Sequence, residues 1–273
     1  MEKLQKALEK ARTARGDRST VDYGSKSRLP RGSGGGSDAW AALKPLAVDR
    51  RQLISNRIIA FEPSPDARYF DILRTRIRDE ARRSGYRRIA IASAGPNAGK
   101  TTTLANLAFS FARLSAERTM VLDFDLRRPR LHSLLGQEPT TDMGAVLTGT
   151  SAHEEALYRY GDNLIFGLNR GTVQHSSELL QSNEAGQLLD QFDATYQPDL
   201  MLFDMPPFLA ADDAHGFVRN VDAAIIVVEA EVTPTTQIDF METKLSELTH
   251  VLGIVLNKCN YPDTNDAGGY THY

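Results

Sequence analysis

RRIAIASAGPNAGKTTTLANLA (87–108) decides the fold. Its first seven residues, RRIAIAS (87–93), read as a short buried strand, and residues 100–115 read as a helix. Between them lies AGPNAGKT (94–101), which closes in Gly-Lys-Thr like a phosphate loop; Ala94 stands where a leading glycine is usual. Small residues let successive backbone N–H groups curl round an anion, and the helix that begins near Gly99 turns its positive dipole end toward it. Gly95, Pro96, Asn97, Ala98, Gly99, Lys100, Thr101 and Thr102 are the candidate nucleotide loop. In such a loop Lys100 reaches the β- and γ-phosphates and the Thr101 hydroxyl ligates Mg²⁺.

Working outward, the same alternation continues. RTMVLDF (118–124), NLIFGL (163–168), DLMLFD (199–204), DAAIIVVEA (222–230) and HVLGIVLN (250–257) read as strands. Residues 177–196 read as one helix, and a helix opens at Pro234, where a missing N–H costs little. Upstream, 66–86 reads as a helix with an apolar stripe of Tyr69, Phe70, Leu73 and Ile77. Short apolar strands alternating with helices predict an α/β fold: a doubly wound, mostly parallel sheet with helices on both faces.

Two acidic segments fall at carboxyl ends of strands, the edge that lines the ligand crevice of such sheets. VLDFDLRRPR (121–130) places Asp123 and Asp125 two residues apart, so both side chains point the same way on extended chain. A metal ion or the nearby Arg127 would offset their repulsion, and a turn cap is the alternative role for Asp123. LMLFDMPP (200–207) ends an apolar strand on Asp204, as a Walker B aspartate does, with a structural turn residue as the alternative. The candidate metal set is Thr101, Asp123 and Asp204.

Composition limits the rest. A formal net charge of −3 over 273 residues does not suit a general nucleic-acid binder. Cys259 is the sole cysteine, which excludes an intrachain disulfide, and the six histidines are too scattered for a structural zinc site. No apolar run approaches the roughly 18 residues of a membrane span, and the charged start MEKLQKALEKARTAR is not a signal peptide. The expected location is therefore cytoplasmic, with recruitment to the inner face of the membrane left to a partner. Four regions are expected: a basic amphipathic helix at 1–14, a flexible Gly/Ser-rich linker at 15–50, a nucleotide-binding domain at 51–260 and a mobile tail at 261–273. Residues 1–32 carry nine Lys or Arg against four acids. The first helix is a solvated end or a docking element for a partner or an anionic surface.

Together AGPNAGKT, VLDFDLR and LFDMP resemble the bacterial tyrosine kinases, the P-loop autokinases of capsule and exopolysaccharide export. The resemblance runs from about Ala67 to Asn260 and includes GAVLTG (144–149), SELL (177–180) and VLGIVLN (251–257). EKLQKALEKAR (2–12) is similar to the subgroup of separate autokinases associated with exosortase systems. The fold implied is a P-loop NTPase of the MinD/ParA-like type. The chemistry implied is transfer of phosphate from ATP–Mg²⁺ to tyrosines that a neighbouring subunit presents. Tyr261, Tyr270 and Tyr273 in the tail are the candidate acceptors, and Lys100, Asp123, Asp125 and Arg127 the candidate catalytic residues. Asp123 or Asp125 would take the phenolic proton, while Asn257 would recognise adenine or serve as a turn residue. The partners implied are a second copy of the chain, a membrane polysaccharide co-polymerase or chain-length protein as activator, and a tyrosine phosphatase, with no nucleic acid.

One departure from the pattern and one difference from a rival family bear on this reading. The family's ring-building helix carries ExxRxxR, where this chain has Arg68, Asp71 and Arg74. MinD/ParA proteins carry an extra lysine as KGGxGKT, and the equivalent position here is Gly95. The rival readings are an ATPase switch of that type, and a non-catalytic nucleotide-binding assembly factor.

Overall fold

The computed structural model describes residues 36–210 and 212–259. The expected helix at 1–14, the first part of the linker and the tail bearing Tyr261, Tyr270 and Tyr273 lie outside the described residues. In chain order the elements are α1 (Gly36–Ala42), β1 (Lys44–Pro45), α2 (Arg50–Ser55), α3 (Arg68–Ser84), β2 (Arg88–Ala92), α4 (Lys100–Ala112), β3 (Thr119–Asp123), α5 (Leu131–Leu134) and α6 (Met143–Leu147). They continue with β4 (Leu157–Tyr160), β5 (Leu164–Gly167), α7 (Ser176–Gln181), α8 (Asn183–Tyr196), β6 (Leu200–Asp204), α9 (Asp212–Phe217), β7 (Ala223–Glu229), α10 (Thr235–Ser246) and β8 (His250–Asn257).

The eight strands form one sheet in the order β1-β4-β5-β3-β6-β2-β7-β8. Every neighbouring pair is parallel except β4 with β5. Strands β2, β3, β5 and β6 are buried along their whole length, which is why their sequences are apolar without alternation. Two apolar cores cover the sheet. One holds Leu104, Leu107 and Phe111 of α4 together with Ile77 and Ala81 of α3. The other holds Leu180, Leu188 and Phe192 of α7 and α8 with Met241 and Leu245 of α10. The fold class expected from the sequence is therefore the fold observed.

Four local expectations are corrected. The folded unit begins before residue 51: Trp40 is 2% exposed and donates its Nε1–H to the Tyr196 carbonyl at 2.7 Å. β1 pairs with β4, and Leu46 is buried, so 36–50 belongs to the sheet and its core rather than to a flexible linker. The Gly/Ser composition just upstream hides one tryptophan and two leucines that repay the ordering cost. The single helix expected at 177–196 is broken at Ser182, whose extended backbone (φ −73°, ψ 160°) separates α7 from α8. Strand β4 was missed because LYRY is short and mixed. On α3, Tyr69 is half exposed under the Arg68 guanidinium, and the face toward the core runs through Leu73, Ile77 and Ala81.

The ring-motif positions on α3 are used inside the chain. The Asp71 carboxylate accepts from Ser110 Oγ at 2.5 Å and pairs with Arg113, and Arg74 Nη1 donates to the Ser110 carbonyl at 2.7 Å. These bonds lash α3 to α4. Among the described residues, no helix is long and apolar enough to cross a membrane.

Candidate functional site

The order β3-β6-β2 sets Asp123, Asp204 and the loop after β2 side by side. Asp123 and Asp204 are paired residues in β3 and β6, and Asp204 also pairs with Ile91 of β2, just before the loop. The loop runs into α4 through Gly99, at φ +92° in the left-handed region. That conformation favours glycine, and a Cβ there would displace the Asn257 amide, 2.1 Å away. Lys100 is the first residue of α4 and is almost fully buried.

The polar groups converge. Thr101 Oγ1 donates to Asp204 Oδ2 at 2.5 Å, and Lys100 Nζ lies 3.8 Å from Asp125 Oδ2. Asp204 Oδ1 is buried and has no hydrogen-bond partner among the described residues. Burial, opposed by Lys100 and by the Thr101 hydrogen bond, leaves the Asp204 carboxyl above its ordinary range. Asp123 is pushed well above it by burial and by the charge of Asp204. Burial raises Asp125 to about 6, with Lys100 pulling the other way. Three acidic groups sharing one lysine form a dry site short of positive charge. A divalent cation would satisfy that deficit, and the Asp204 oxygen beside the Thr101 hydroxyl would be its ligand pair.

Asp123 is less open than the sequence implied. Its Oδ1 accepts from the Asp125 amide and its Oδ2 from the Leu131 amide, each at 3.2 Å. Its carboxylate thus does the capping that was its alternative role, shaping the loop that carries Asp125. Arg127 was expected to organise the aspartates of its own motif. Its guanidinium instead forks onto Asp213 of α9, through Nε at 2.9 Å and Nη2 at 2.7 Å.

The remaining candidate loop residues run from the end of β2 to the first turn of α4. Asn97 sits at φ +65°, Ser93 Oγ donates to the Gly95 carbonyl, and Ala98 is buried in the core beneath. Gly95, Pro96 and Thr102 are partly or fully exposed at the loop and on the first turn of α4. Asn257, at the end of β8, donates Nδ2 to the Ala98 carbonyl at 2.8 Å. Lys258 Nζ donates to the Asn97 carbonyl at 2.8 Å and pairs with Glu229 at 3.0 Å. The last strand and the residue after it thus tie down two carbonyls of the loop. Sequence reasoning missed Lys258, Glu229, Asp213 and Ser176. No local pattern marks them, since their partners lie far away in the chain.

The chain is similar to a family model, to curated proteins and to solved structures. A family model described as the CobQ/CobB/MinD/ParA nucleotide binding domain matches residues 89–268. The chain is 28% identical over 229 residues to tyrosine-protein kinase YwqD of Bacillus subtilis, covering 82% of this chain and 95% of that protein. It is 30% identical over 190 residues to the succinoglycan biosynthesis transport protein ExoP of Rhizobium meliloti, covering 68% of this chain but 23% of that one. The crystal structure of the VpsO kinase domain superposes with a TM-score of 0.58 at 29% identity, over 64% of this chain and 86% of that one. The chain belongs to the CobQ/CobB/MinD/ParA nucleotide-binding domain family, and its relatives include a protein named as a tyrosine-protein kinase and another named as a succinoglycan biosynthesis transport protein.

Proposed function

We propose that the chain is an ATP- and Mg²⁺-dependent protein-tyrosine autokinase that phosphorylates C-terminal tyrosines in trans, in bacterial exopolysaccharide or capsule production and export. The observation that carries this reading is the pairing of Thr101 with Asp204 beside the facing Lys100 and Asp125. Lys100 and the loop amides hold the β- and γ-phosphates. Thr101 and Asp204 hold the metal, and Asp123 keeps the Asp125 loop in shape. Bound there, the metal supplies charge neutralisation on the phosphates. Asn257, which borders the loop, recognises adenine.

In the transfer step a phenolic oxygen of Tyr261, Tyr270 or Tyr273 forms a bond to the γ-phosphorus, the β–γ anhydride bond breaks and ADP leaves. Asp125 takes the phenolic proton. A group titrating near 6 is mostly ionised at neutral pH and so is available as a base. The partners proposed are a second copy of the chain, a membrane chain-length or co-polymerase protein that activates and recruits it, and a tyrosine phosphatase that reverses the reaction.

The test incubates purified chain with ATP–Mg²⁺ and maps phosphotyrosine by mass spectrometry. Signal on the tail tyrosines that disappears in Lys100→Met supports the kinase. No signal, with or without a fragment of the membrane partner, rejects it. Phosphate release that survives removal of residues 261–273 without any phosphotyrosine favours an ATPase switch.

A further inference from the structure

Asp213 lies outside every motif that marked the site, yet it is fully buried and sits where three segments meet. Arg127, two residues beyond Asp125, grips it with two nitrogens. Ser176, at the start of α7, donates Oγ to its Oδ2 at 2.6 Å. The segment before Ser176 is laced to the same β3 loop: Val173 N donates to the Leu126 carbonyl at 2.8 Å and Thr172 Oγ1 to the Arg127 carbonyl at 3.1 Å. The segment between Asp204 and Asp213 runs along the start of the nucleotide loop, with Phe208 N on the Ser93 carbonyl and Leu209 N on the Ala94 carbonyl.

A buried carboxylate is costly to keep unless it is paired, and a planar guanidinium fork fixes direction as well as charge. Burial raises the Asp213 carboxyl, but the hydrogen bonds from Arg127 and Ser176 and the charge of Arg127 outweigh that and hold it below its ordinary value. Arg127 is half exposed, so the pair sits at the rim of the site rather than deep in the core.

We infer that Asp213 is a positioning residue for phosphoryl transfer: by clamping Arg127 it holds the β3 loop so that Asp125 faces Lys100, and it links that loop to the segment following Asp204. Its contribution runs through Arg127 and the loop, with no contact of its own to the phosphates. The inference deepens the kinase reading but depends on it only for the reaction that is timed.

The test uses the full chain with Asp213→Asn and Ser176→Ala, and reads three quantities. The first is amide exchange of residues 124–131, which needs no activity. Asp213→Asn should speed it about tenfold or more while α4 keeps wild-type exchange. The second is nucleotide affinity, which should stay within about threefold. The third is turnover per bound nucleotide, expected to fall about tenfold or more; counting bound nucleotide removes any loss that is merely misfolded protein. Ser176→Ala, which leaves the charge pair whole, should lie between wild type and Asp213→Asn. Wild-type exchange of 124–131 in Asp213→Asn overturns the inference, as does a loss confined to nucleotide affinity. If Asp213→Asn does not fold, the paired variant Arg127→Met with Asp213→Leu removes the clamp without leaving a lone buried charge. Wild-type exchange and turnover in that variant would equally overturn it. A wild-type chain that forms no phosphotyrosine rejects the kinase alone, since the exchange comparison still decides the clamp.

Discussion

Asp123 and Asp204 face one another as paired residues at the ends of adjacent parallel strands, and among the described residues neither forms an ion pair of its own. Lys100 serves the whole acidic group, and it lies nearest Asp125. The site therefore stores unfavourable negative charge that a divalent cation would relieve.

That charge sets a stability trade. The Asp204 carboxyl is raised, so its contribution to stability is present below the ordinary carboxylate pKa and lost as pH rises through the folded value. Asp204→Asn should raise the Tm of the nucleotide-free chain at pH 7 by roughly a few degrees, and the gain should vanish near pH 4. The same variant should lose roughly 100-fold or more in turnover. Calorimetry at the two pH values and a phosphate-release assay check both halves.

The tie between β8 and the nucleotide loop should govern nucleotide affinity. Asn257→Ala frees the Ala98 carbonyl and should weaken binding about three- to tenfold. Gly99→Ala should weaken binding more than Asn257→Ala does, because it displaces the Asn257 amide and also strains a backbone φ of +92°. Titration with a fluorescent nucleotide measures each.

Asp71 should act as a fold residue. Asp71→Ala removes the acceptor for Ser110 Oγ and the partner of Arg113, and should cost about 1–3 kcal/mol in urea unfolding. The mass in solution by light scattering should not change, because the charge is spent within one chain.

The segment before residue 51 should be indispensable. Trp40→Ala empties a buried aromatic site and leaves the Tyr196 carbonyl without its donor, at a cost of about 3–5 kcal/mol. A chain beginning at residue 51 should melt well below one beginning at residue 36, by circular dichroism.

Much of this was legible along the chain. RIAIA, TMVLD and LMLFD were recognisable as buried strands because both of their faces are covered, so their apolar character has no gaps. AGPNAGKT was recognisable because phosphate binding by a loop uses consecutive residues. Residues 36–50 were not, since a tryptophan in a Gly/Ser-rich stretch has meaning only once Tyr196 is beside it. The partner of Arg127 was not legible either: Asp213 is 86 residues away.

Contiguous chemistry was thus settled by residue order alone: the strand–loop–helix unit, the Thr101 hydroxyl, and aspartates at strand ends. Tertiary structure decided which group meets which. Asp123 caps a loop, Arg127 turns to α9, and Asp71 binds α4 because strand order and helix packing bring together groups that the chain keeps far apart. A motif constrains its neighbours through covalent bonds, whereas an ion pair is made only after the sheet has assembled.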